Sequence, residues 1–76
     1  MNIKVLGPGC SNCKRLEKNV QVAVKELGIN ATVEKVTDMS AFAQYGAMSS
    51  PALVVDEELK LTGKVPSPEE LKKYFQ

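Results

Sequence analysis

The chain has 76 residues, 43% of them hydrophobic, and its ten basic and nine acidic side chains leave a net charge of +1. That length holds one thin core and one domain, residues 1–76, and the ordinary apolar content argues against disorder. The near-neutral balance provides no basic surface for nucleic acid or an anionic membrane, and the longest apolar run, Pro51-Ala52-Leu53-Val54-Val55, is far too short to cross a bilayer.

In chain order, Ile3, Val5 and Leu6 form a short apolar run that predicts a buried first strand. It follows Met1-Asn2 directly, with no long apolar leader, so the protein is expected to act in the cytoplasm; separately, it is expected to be a monomer. A Gly7-Pro8-Gly9 corner comes next, then Cys10-Ser11-Asn12-Cys13, the only two cysteines. From there Cys13, Leu16, Val20, Ala23, Val24 and Leu27 recur three or four residues apart, which predicts one helix with a single apolar stripe and Gly28 as its stop. Lys14, Arg15 and Lys18 lie off that stripe.

Residues 31–36 alternate polar and apolar side chains, as a half-exposed edge strand does. Asp38 can cap a short helix through Phe42 and Tyr45 that ends near Gly46. A loop, Ala47-Met48-Ser49-Ser50-Pro51, precedes a buried strand at residues 52–55. Asp56-Glu57-Glu58 is expected to be a tight turn, and Leu59-Lys60-Leu61-Thr62 the returning strand of a hairpin. Ser67, Pro68 and Glu70 carry the start signals of a last helix, whose buried face would be Leu71, Tyr74 and Phe75 and whose solvated face would include Lys72 and Lys73. Phe42 and Tyr45 are expected in the core, and Met48 is expected to pack in its loop rather than line a substrate rim. The order is β-α-β-α-β-β-α. The β-α-β unit requires parallel strands and the hairpin antiparallel ones, so a four-stranded mixed sheet with three helices on its two faces satisfies both.

This architecture puts the cysteines at the C-terminal edge of the first strand, where open α/β sheets place their chemistry. Cys10 falls at the helix start, where free N–H groups and the positive end of the helix dipole favour an anion. Nearby Lys14, Arg15 and Lys18 act in the same sense. Each lowers a thiol pKa, and only the thiolate attacks a disulfide. Cys13 lies on the buried stripe. Cys10 is therefore expected to attack and Cys13 to resolve the mixed disulfide.

A structural zinc site needs four ligands, and with no histidine and no third cysteine the chain supplies half of one. A soft-metal thiolate carrier is the main alternative, since two thiolates suit Cu(I). Small copper-carrying domains also place C-x-x-C between a first strand and a first helix, but they resemble a ferredoxin-like order that ends in a strand, and this chain ends in a capped helix. Ser50-Pro51 is the second discriminator. A cis bond there would set Pro51 against the two sulfurs and expose the Ser50 backbone to an extended substrate segment.

Taken together, these features resemble the thioredoxin fold over the whole chain. More closely, Gly7-x-Gly9-Cys10-x-x-Cys13-x-x-Leu16, Pro51-Ala52-Leu53-Val54-Val55-Asp56 and Gly63-Lys64-Val65-Pro66-Ser67 resemble small archaeal and bacterial thioredoxin/glutaredoxin-like proteins, the redox-active disulfide protein 2 family. The resemblance implies a thiol–disulfide oxidoreductase with Cys10 as nucleophile, Cys13 as resolving thiol, Pro51 as the cis proline and Gly63 lining the site beyond the fourth strand. It implies no cofactor beyond the Cys10–Cys13 disulfide, and as partners disulfide-containing client proteins and an upstream reductase. Two departures stand out. Thioredoxins carry a buried acid six residues before the first cysteine, and here that residue is Lys4. Glutaredoxins follow their last strand with a G-G-x-x-D-type run, which Gly63-Lys64-Val65-Pro66 lacks, so glutathione is not expected as cosubstrate.

Overall fold

A computed structural model describes all residues, 1–76. Its elements are β1 (Asn2–Leu6), α1 (Ser11–Leu27), β2 (Thr32–Val36), α2 (Ser40–Tyr45), β3 (Ala52–Val55), β4 (Glu58–Thr62) and α3 (Pro68–Phe75). The sheet order is β2-β1-β3-β4, with β1 and β2 parallel and the other two pairings antiparallel. The element order is the expected one, and it is not the ferredoxin-like order of a copper carrier.

Strand alternation divides the core into two layers. Ile3 and Val5 of β1 and Leu53 and Val55 of β3 point to the face covered by α1 and α3, where they pack with Leu16, Val20, Ala23, Leu71 and Phe75. Leu6, Ala52 and Val54 point to the opposite face and pack with Ala41 and Phe42 of α2. β1 and β3 are central and buried, whereas β2 lies at the edge and has no buried residue, as its mixed sequence predicts.

The long helix follows its stripe: Cys13, Leu16, Val20 and Ala23 are buried, and the Gly28 N–H closes the end on the carbonyls of Val24 and Lys25. Met39 is the N-cap residue of α2 and makes no side-chain cap bond; Asp38, one residue earlier, accepts from the Ser40 N–H at 2.9 Å and holds the approach to the helix. In α3 the Ser67 hydroxyl accepts from the Glu70 N–H at 3.3 Å, with Pro68 in the first turn. The Glu70 carboxylate meets the Ser67 hydroxyl rather than the backbone.

Five details differ from expectation. The hairpin turn is two residues, Asp56 and Glu57, both at positive φ (50° and 68°), and Glu58 already pairs with Val55. Contacts to β1 hold these left-handed residues: the Asp56 carboxylate accepts from the Asn2 N–H at 2.8 Å, and Glu57 receives Lys4 Nζ at 2.8 Å. Second, the register of β4 shifts so that Leu61 opposes Leu53 and Leu59 opposes Val54, leaving Lys60 as the extra residue of a bulge. Leu59 and Leu61 therefore serve opposite layers of the core instead of sharing a face. Third, Tyr74 is 40% exposed, so Leu71 and Phe75 alone form the buried face of α3. Fourth, Lys72, expected on a solvated face, bridges Glu26 of α1 at 2.8 Å and Glu69 at 3.0 Å. Fifth, Met48 does not pack in its loop; it is 94% exposed.

Candidate active site

β1 delivers the chain to the site. Beyond Leu6 the ladder continues for one more bond, from the Gly7 N–H to the Val36 carbonyl at 2.9 Å. Pro8 and Gly9 then turn the backbone away, and Cys10 takes the extended N-cap conformation (φ −69°, ψ 169°) that starts α1 at Ser11. Cys10 and Cys13 are joined as a disulfide, with Cα atoms 5.1 Å apart. The two sulfurs are unequal, as the helical stripe predicts: Cys10 is exposed and Cys13 retains 3% of its exposure.

The Cys13 N–H points at Cys10 Sγ from 3.3 Å. In the reduced protein that donor faces a Cys10 thiolate, in the manner of a side-chain N-cap, and a hydrogen bond to the charged form lowers a pKa. α1 has no acidic side chain in its first turn, so nothing there opposes the effect.

Close packing fixes Cys13. A Cβ added to Gly7 would collide with both Sγ and Cβ of Cys13 and would reach 4.0 Å from Pro51 Cβ. The bare Gly7 Cα thus lies between Cys13 and the proline. Pro51 is fully buried at the head of β3, and the Ser50–Pro51 peptide is cis. On its other side, the Pro51 carbonyl accepts from the Gly63 N–H at 2.8 Å. Gly63 takes φ +69°, the left-handed region that favours glycine; a Cβ there would lie 2.6 Å from Ser49 Oγ, a contact that rotation of the exposed serine relieves. Ser50 is exposed, and neither its N–H nor its carbonyl has a partner within the chain. The structure therefore gathers Cys10, Cys13, Pro51 and Gly63 around one end of the sheet. Gly7 is the residue that sequence reasoning left without a role; its signal was the lack of any side chain directly beyond the central strand.

Lys4, at the position of the acid expected in thioredoxins, points to the α2 face of β1, away from α1. Its ammonium donates to Tyr45 Oη at 2.9 Å and Glu57 Oε1 at 2.8 Å, and Tyr45 Oη donates to Glu57 Oε2 at 2.6 Å. Tyr45, expected as core, is half-buried and tied into this triangle. The bonds from Glu57 and Tyr45 hold the Lys4 ammonium well above its usual range, and the bonds from Lys4 and Tyr45 hold the Glu57 carboxyl below its own. No polar or charged side chain is buried anywhere in the protein, so no buried acid stands in for the missing one.

Fold and site together define a disulfide-exchange scaffold. The family model described as "Thioredoxin domain" matches residues 1–76. The thioredoxin of Methanothermobacter thermautotrophicus is 51% identical over 73 residues, covering 96% of this chain and 95% of the relative. The thioredoxin of Methanocaldococcus jannaschii is 40% identical over 70 residues, covering 92% of this chain and 80% of the relative. Among solved structures, thioredoxin 1 from the thermophilic eubacterium Thermosipho africanus superposes with a TM-score of 0.64 at 24% identity, covering 99% of this chain and 90% of that one; this likeness speaks for the fold. The chain belongs to the thioredoxin family. Its activity is thiol–disulfide oxidoreduction. Thioredoxins need no resident cofactor and act on disulfide-bearing client proteins together with a reductase. No helix of this chain is long and apolar enough to cross a membrane.

Proposed function

We propose that the 76 residues act as one cytoplasmic, monomeric domain in which Cys10 attacks a client disulfide and Cys13 completes the exchange. The observation that carries this reading is the unequal exposure of two sulfurs already within bonding reach. In the reduced protein the Cys10 thiolate attacks one sulfur of the client's disulfide. A Cys10–client disulfide forms, and the client's other sulfur leaves as a thiolate. Cys13 then loses its proton and attacks Cys10 Sγ, which releases the second client sulfur and regenerates the Cys10–Cys13 disulfide. Two electrons pass to the client, whose two sulfurs leave as thiolates and take up protons from Cys13 or water, and an upstream reductase restores the dithiol.

Ser50, Pro51 and Gly63 form the substrate-binding side. Ser50 offers an unpaired N–H and carbonyl to an extended client segment, and Pro51 and Gly63 hold that loop beside the sulfurs. Water or the departing client sulfur receives the Cys13 proton, since no buried side chain is there to take it. No metal or organic cofactor takes part.

The roles are separable by alkylation. Reduced protein treated with iodoacetamide across a pH series, then mapped by peptide mass, should show Cys10 modified first, with an apparent pKa below the ordinary thiol value of about 8.5. Equal or faster modification of Cys13 would contradict the assignment.

A further inference from the structure

The ten cations and nine acids of this chain nearly cancel, yet their positions are lopsided. Lys14, Arg15 and Lys18 occupy the first two turns of α1 beside Cys10, and Lys64 follows Gly63; all four are exposed and in no ion pair, as are Lys25, Lys35 and Lys73 elsewhere, whereas Lys4, Lys60 and Lys72 are paired. The acids lie elsewhere or are engaged. Asp56, Glu57 and Glu58 form the hairpin end, opposite the start of β1, while Cys10 follows its far end. Glu26 and Glu69 share Lys72, and the Glu70 carboxylate meets Ser67. Glu34 lies exposed in the middle of β2 opposite Lys4, and nearer the Cys10 turn Glu17, half-buried on α1, and Asp38, bound by the Ser40 N–H and hydroxyl, carry negative charge.

Helical side chains lean toward the N-terminus, so Lys14 and Arg15 cover the turn that contains Cys10 and Ser11. Lys14 sits one turn above Cys10, its N–H on the Cys10 carbonyl at 3.0 Å. Met48 adds an exposed apolar contact on the loop leading to Pro51. These are the properties of an open surface for another protein.

Resting on the thiol-exchange reading, we propose that this cationic collar selects client proteins whose reactive disulfide is flanked by acidic residues. Opposite charges at close range steer encounter and raise association rates by roughly 10- to 1,000-fold, with steep loss as salt is added.

Three synthetic peptides, each with one disulfide flanked by Glu, Gln or Lys, test this, with uncharged hydroxyethyl disulfide as the reference substrate. At an ionic strength of about 0.02 M the reduced protein should reduce the Glu peptide about tenfold faster than the Lys peptide, and the ratio should fall to about twofold near 0.5 M. The double variant Lys14→Glu/Arg15→Glu should reverse the preference. The ratio of the two peptides cancels any change in thiolate fraction that the substitutions cause. Equal rates at low salt, or a ratio that ignores both salt and charge reversal, overturns the collar while hydroxyethyl disulfide reduction leaves the exchange chemistry standing. Failure to reduce any disulfide, the reference included, overturns the exchange reading and the collar with it.

Discussion

At the scale of single residues, the space around Cys13 is set by what Gly7 lacks. The Gly7 Cα faces Cys13 Sγ and Pro51 Cβ together, and a methyl group there meets the sulfur and its Cβ at impossible range. Either the cysteine or the strand end must move. Gly7→Ala should lower stability by about 1–3 kcal/mol, the usual cost of overpacking a close-packed interior, with the oxidised protein more affected because the disulfide prevents Cys13 from rotating away. Denaturant melts of the oxidised and reduced forms check both parts, and an unchanged midpoint in the oxidised form would show that the strand end yields freely. The neighbouring cysteines were legible from sequence because their environment is local: a helix start for one, a 3.6-residue stripe for the other. Gly7 was not, because its reason lies in a side chain six positions on and in a proline more than forty positions on.

At the scale of elements, the Lys4–Tyr45–Glu57 triangle ties β1, α2 and the β3–β4 turn together on the face opposite α1. The signs of its titrations follow from the shifts. The Glu57 carboxyl is lowered in the folded protein, so the stability it contributes is complete above its ordinary value of 4.5 and is lost as pH falls through the folded value. The Lys4 ammonium is raised, so its contribution is complete below its ordinary value of 10.5 and is lost as pH rises through the folded one. Glu57→Gln should therefore flatten the stability profile below about pH 4.5 and leave the protein less sensitive to salt at neutral pH. Urea midpoints taken from pH 2.5 to 7 read this out, and an acid limb as steep as the parent's would place the acid sensitivity elsewhere.

The elements themselves were mostly legible. The seven pieces, their order, the Ser67 cap and the Asp38 bond to Ser40 follow from local chemistry that requires no partner. What stayed hidden depends on partners. The bulge at Lys60 is set by pairing with β3, and it separates Leu59 from Leu61, which plain alternation would put on one face. The hydroxyl of Tyr45 finds Glu57 only when the hairpin folds back beside β1, and Tyr74 is left outside because Leu71 and Phe75 suffice to cover α1.

At the scale of the molecule, a central β1 and β3 carry Gly7 and Pro51 to the same end of the sheet, where α1 also begins. One backbone arrangement thereby supplies an exposed sulfur at a helix start, a covered sulfur one turn in, and an open loop edge at Ser50. Charge completes the polarity: free cations around Cys10, engaged acids at the hairpin end.

The central claim is the division of labour between the two sulfurs, and trapping tests it most directly. Reduced Cys13→Ser protein mixed with a disulfide-bonded peptide should accumulate one stable adduct, mapped by mass to Cys10, with no turnover. Reduced Cys10→Ser protein should form little adduct over the same time, because its remaining thiol is covered. Rapid adduct formation on Cys13 in the Cys10→Ser protein, at a rate matching that of Cys10, would contradict the account.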